Sequence, residues 1–216
     1  NPPPPGGTSS TVYILTASHL HIPPLYLFLF TSFDKTEAGE LHNKIIQYIY
    51  ETLRSIPSNM DLEFDENGFY ILLSDRGDSW RFHWGLYLAK TKTSGIVYHL
   101  VNDTPSTDWR LEVKESGNVL QSNKLLGALK IGIIEPMLHE MLGQCLMEIP
   151  IEYSTRFKEN ITCRVWLKEA VHELNERGLL NIHESVDSIE FEANSIALSS
   201  KATKKKSVQL SMGTCP

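Results

Sequence analysis

Five polar residues, Lys90 to Ser94, separate two β-prone runs, Arg81–Leu88 and Gly95–Val101. So short a connection makes a β-hairpin the simplest link between them. Phe69–Leu73 predicts a strand just before the pair, entered through the Glu66-Asn67-Gly68 turn signal, and Trp109–Val113 follows it with alternating apolar and polar residues. Together these predict an antiparallel meander. A further β-prone run, Leu125–Ile134, ends at Pro136.

Helical periodicity flanks the meander. Between Ala38 and Ile56, Leu41, Ile45, Ile46, Ile49 and Leu53 recur at helical spacing, and Pro57 closes the segment. Met137–Met147 predicts a second helix, followed by a short extended piece, Ile149–Tyr153. Cys163–Arg177 predicts a third, with Asn160 or Thr162 available as N-cap and Gly178 as the C-terminal stop. Val12–Leu15 and Leu25–Phe30 are earlier β-prone runs. Strands in runs, with helices before and after, point to an α+β fold in which an antiparallel sheet packs with helices.

One domain is expected over residues 11–198, between a Pro/Gly-rich leader, 1–10, and a polar, Lys-rich tail, 199–216. A formal charge of −6 argues against binding nucleic acid, which needs clustered Lys and Arg. The one basic run, Lys201 with Lys204, Lys205 and Lys206, reads as a solvated tail. Val12–Phe30 is apolar, but Ser18, His19, His21 and the Pro23-Pro24 pair break it, so no transmembrane segment is expected. The three cysteines, Cys145, Cys163 and Cys215, form no CxxC pair. That excludes the usual zinc and dithiol motifs and suits a reducing, cytoplasmic setting.

Cys163 is the candidate nucleophile. Unpaired N–H groups and the macrodipole at a helix start favour the thiolate. The competing reading is packing, since Cys163, Leu167, Ala170 and Leu174 also form one helical stripe. Alternation along the hairpin puts Phe82, Trp84, Leu86 and Leu88 on one face and His83, Gly85 and Tyr87 on the other, while Val97, His99 and Val101 share a face of the next strand. A register pairing Gly85 with His99 sets His83 and His99 diagonal to each other, within reach as base and orienter. Gly85 then leaves room for a substrate or a second backbone.

Asn102, Tyr87 and Trp84 are candidate substrate contacts, with Asp103 beside Asn102. The other tryptophans, Trp80, Trp109 and Trp166, read as core. His19 and His21 lack a nearby carboxylate or cysteine to complete a metal site, and Arg76-Gly77-Asp78 reads as a turn. No metal or organic cofactor is implied.

The order His83 in FHWGLYL, His99 in VYHLVN and Cys163 in NITCRVWLKEAV resembles the circularly permuted branch of the NlpC/P60 papain-like superfamily, which includes lecithin retinol acyltransferase. It is closer still to a group of fungal proteins with the motifs HWxLxL, YHxxN and CRxWxxxAxxxL. The resemblance covers about residues 80 to 180, and Thr162-Cys163 stands where many relatives have Asn-Cys. It implies a papain-like core with Cys163 as nucleophile, His83 as general base and His99 orienting His83. The expected activity is a cysteine-dependent hydrolase or acyl transferase acting on an amide, ester or thioester of a peptide, lipid or small molecule. The alternative is an inactive papain-like scaffold that binds a peptide or protein.

Overall fold

The computed structural model describes residues 62–102 and 108–215. The described residues all fall in one compact unit, residues 60–216. The leader, the runs at 12–15 and 25–30, the helix at 38–56, the His19/His21 pair and Asp103 lie outside the described residues.

Among the described residues, six strands form one sheet: β1 (Gly68–Asp75), β2 (Phe82–Ala89), β3 (Ser94–Val101), β4 (Arg110–Gly117), β5 (Leu125–Ile133) and β6 (Ser207–Leu210), in the order β4-β3-β2-β1-β5-β6. Every pairing is antiparallel except β5 with β6. The meander is the one expected, and β5 adds to the free edge of β1. This position makes β1 central, which is why its run of apolar residues is buried on both faces.

Among the described residues, three helices, α1 (His139–Glu148), α2 (Cys163–Glu176) and α3 (Val186–Thr203), supply side chains to the larger core. There Phe69, Ile71, Leu73, Phe82, Trp84, Leu86, Leu88, Tyr98 and Leu100 meet Leu142, Trp166, Leu174 and Ile189. Burying each large apolar side chain contributes about 1.5–3 kcal/mol. The alternate residues Tyr70, Leu72, Tyr87 and Ala89 join Phe64, Val119, Leu125 and Ala128 in a smaller second cluster. The fold is therefore α+β, with a six-stranded, mostly antiparallel sheet.

Helix α2 has the ends its sequence predicts. Thr162 is extended, and its Oγ1 accepts a hydrogen bond from the Val165 N–H at 3.2 Å. Gly178 takes φ +71°, and the N–H groups of Leu179 and Leu180 then return to the Leu174 carbonyl. Lys168 points between α2 and α3 and is buried, with Nζ 2.8 Å from Asp187 and 2.9 Å from Glu190.

The expected polar tail is instead structured. Residues 199–203 complete α3, and 207–210 form β6. Helix α3 buries Ile189, Ala193, Ile196, Ala197 and Ser200, a helical stripe carried largely by small residues and so weak in hydrophobic contrast. Such a stripe lets the helix lie close to the sheet: a Cβ at Gly127 of β5 would collide with Ile196. Lys201 is tied to Asp75 at 2.8 Å and to the Asp78 carbonyl, and Lys206 donates to the Leu120 carbonyl at 2.6 Å.

Two smaller expectations also fail. Ile149–Tyr153 forms no strand, and only an isolated bridge, Ser154 with Glu159, follows it. Trp80 is 76% exposed in the bend joining β1 to β2, whereas Trp84 and Trp166 fill the core and Trp109 packs against it. Among the described residues, no helix is long and apolar enough to cross a membrane.

Candidate active site

Strands β2 and β3 pair Leu86 with Tyr98 and Ala89 with Gly95, a register that sets Gly85 opposite His99. This is the register on which a histidine pair depends. His83 Nε2 lies 2.6 Å from His99 Nδ1. A Cβ at Gly85 would stand 3.2 Å from the His99 Cβ, so the missing side chain makes room for His99 rather than for substrate or a further backbone.

The next strand adds a residue that the sequence did not single out. Glu112 of β4 is the register partner of His99, and its Oε2 lies 2.9 Å from His99 Nε2. Arg110 approaches the other carboxylate oxygen at 3.6 Å. The strand itself was legible in the alternation at 109–113. Its register against β3 was not, because the connection between them, residues 102–109, is too long to fix a pairing.

Burial is the main force on these groups. It pushes the His83 pKa down to about 4, helped by repulsion from His99 when that ring is protonated and from Arg76, and opposed by Glu112. The hydrogen bond from His99 is the chief cause holding the Glu112 carboxyl below its ordinary range, with Arg110 and Lys114 adding to it. At neutral pH the arrangement is a neutral His83 ring and an ionised Glu112. The three groups run end to end, and among the described residues no group of three or more His, Cys, Asp or Glu could hold a metal ion.

Cys163 opens α2 as expected, but it is only 3% exposed and belongs to the larger core, together with Leu167, Ala170 and Leu174. Burial pushes the thiol up in pKa, outweighing the backbone N–H groups of Trp84, Arg164 and Cys163 itself and the charge of Arg76. The helix start was expected to lower this pKa, and desolvation wins instead. Among the described residues no hydrogen bond joins Cys163 to either histidine. The structure thus brings His83, His99 and Glu112 together, and Cys163, at the start of α2, forms no hydrogen bond with them.

The expected substrate contacts divide. Trp84 packs in the larger core and Tyr87 in the smaller one, with 4% and 0% exposure, so neither offers a surface to a substrate. Period-2 alternation placed both correctly by face, but both faces of β2 are covered. Asn102, just past the end of β3, is half-buried. Of the other thiols, Cys145 is buried and accepts a hydrogen bond from Arg177 at 3.1 Å, and Cys215 is exposed, 3.7 Å from His183 Nδ1.

No curated protein and no solved structure matches the chain. One family profile does, over residues 69–181, which runs from β1 through α2 and includes His83, His99, Glu112 and Cys163. That span is just over half of the sequence, and the chain belongs to the family of unknown function DUF6540.

Proposed function

We propose that this protein is a cysteine-dependent hydrolase or acyl transferase, with Cys163 as nucleophile, His83 as general base and His99 as the residue that orients His83. The observation that carries the reading is the 2.6 Å bond between His83 Nε2 and His99 Nδ1. It leaves His83 Nδ1 as the nitrogen available to a reacting thiol. The order of hairpin, then helix opening on Cys163, supports assigning the core to the permuted NlpC/P60, papain-like arrangement. Three free cysteines support a reducing, cytoplasmic setting.

The resting pair is a neutral thiol and a neutral imidazole, so activation is by general base rather than by a standing ion pair. The Cys163 proton passes to His83 Nδ1 as sulfur bonds to the carbonyl carbon. The leaving amine, alcohol or thiol departs with that proton, and a thioester acyl-enzyme remains. Water or a second acceptor then attacks the thioester, giving its proton to His83, and the thiol is regenerated. The backbone N–H of Cys163 at the helix start is a donor for the oxyanion.

The burial of Cys163 within a core stripe favours a second reading, a papain-like scaffold that binds a peptide or protein without catalysis. One experiment separates the two. The chain is incubated with p-nitrophenyl acetate, quenched in acid, and the site of acetylation is read by mass spectrometry. The enzyme reading expects a single acetyl group on Cys163, absent from Cys163→Ala and reduced at least about tenfold in His83→Ala. Acetylation confined to the exposed Cys215, or equal in wild type and His83→Ala, supports the scaffold.

A further inference from the structure

We infer that Glu112 is a positioning residue that fixes the tautomers of both histidines, so that His83 presents an unprotonated Nδ1. The inference rests on the proposed function only for the use to which that nitrogen is put; the tautomer assignment stands on hydrogen-bond geometry in the state where both rings are neutral, since a doubly protonated His99 would donate from Nδ1 instead. A carboxylate accepts hydrogen bonds and has none to give. Glu112 Oε2, 2.9 Å from His99 Nε2, therefore requires the proton on that nitrogen. A neutral imidazole carries one N–H, so His99 Nδ1 is left as a lone pair.

The consequence passes one ring further. His99 Nδ1 accepts, so His83 Nε2 at 2.6 Å must be the donor. His83 holds its single proton there, and Nδ1 is the basic nitrogen. Among the described residues that nitrogen has no hydrogen-bond partner, so none of them competes for its lone pair. The reverse order, with His83 donating from Nδ1 and accepting at Nε2, would set two lone pairs, His99 Nε2 and the Glu112 carboxylate, against each other.

The charges around the relay are consistent with this order. The His99 hydrogen bond, with Arg110 and Lys114 on β4, keeps Glu112 ionised, and burial, with Arg76 from the bend after β1, keeps His83 neutral. When His83 takes a proton, the Glu112 carboxylate two rings away is the anion that offsets the new charge. A neutral polar residue at 112 lacks that charge, and a glutamine there can also present an N–H that reverses the relay.

The test uses the full chain labelled with nitrogen-15 in its histidines. Long-range nitrogen-proton spectra near neutral pH distinguish protonated from unprotonated ring nitrogens. Wild type is expected to show His83 and His99 each as a single tautomer with the proton on Nε2. Glu112→Ala and Glu112→Gln are expected to show mixed or reversed tautomers in both rings, with unchanged resonances in the core. Both rings unchanged in both variants, or a wild-type His83 protonated on Nδ1, overturns the inference.

A second measurement keeps this inference apart from the proposed function. Acetylation of Cys163 is expected to slow by about tenfold in Glu112→Gln, the effect of losing one charge-assisted hydrogen bond. Tautomers that respond to Glu112 in a chain whose Cys163 never reacts would leave Glu112 as the positioning residue and refute the hydrolase. Tautomers indifferent to Glu112 in a chain whose Cys163 does react would do the opposite.

Discussion

Lowering the pH from about 7 to about 5 is expected to cost the fold about 2 kcal/mol through His83 alone. The ring holds a pKa of about 4 in the folded chain against 6.5 when free. A group with a depressed folded pKa takes its proton first in the unfolded chain. Its contribution to stability is therefore complete above 6.5 and is lost progressively as the pH falls towards 4. Each pH unit inside that window is worth up to about 1.4 kcal/mol, so the whole window amounts to about 3 kcal/mol. Glu112 works in the same direction, but its carboxyl lies below 4.5 in the folded chain and its loss comes at lower pH. Urea unfolding at a series of pH values measures the effect. With a slope of about 2 kcal/mol/M, the wild-type midpoint should fall by about 1 M between the two pH values. His83→Gln is the control, because its amide N–H can still donate to His99 Nδ1 but does not titrate. Its midpoint should fall by less than half as much. An equal fall in both proteins would refute the claim that the fold buries a neutral His83.

Two further outcomes follow from packing. Gly85→Ala places a methyl group 3.2 Å from the His99 Cβ, which should displace that ring and lengthen its bond to His83; the stability loss should be about 1–3 kcal/mol by urea unfolding, and the His83 ring resonances should shift. Truncation after Leu198 removes the last turns of α3, the Lys201 tie to Asp75 and all of β6; thermal melting should then show a midpoint at least about 5 °C lower, whereas a dispensable tail would leave it unchanged.

Much of this site is local and so was legible. The alternation in FHWGLYL assigns His83 and Trp84 to opposite faces, and the five-residue Lys90–Ser94 loop implies the hairpin, because both depend on neighbours a few residues apart. The helix starting at Cys163 announces itself through Thr162 and ends through Gly178 for the same reason. Helix α3 carries a weaker signal, because small residues, Ala193, Ala197 and Ser200, make up much of its buried stripe and its approach to the sheet depends on Ile196 fitting over the bare Gly127.

What the sequence alone determined was which residue types stand on which face of each element: an imidazole pair on two adjacent strands and a thiol at a helix start. Tertiary structure decided the rest. The β3–β4 register brought Glu112 to His99, since pairing between strands is a property of the whole sheet and not of either run. Packing of α2 onto the sheet buried Cys163 and pushed its pKa up, where a helix start in water would have lowered it. Desolvation is set by everything that surrounds a group, and no stretch of neighbouring residues records it.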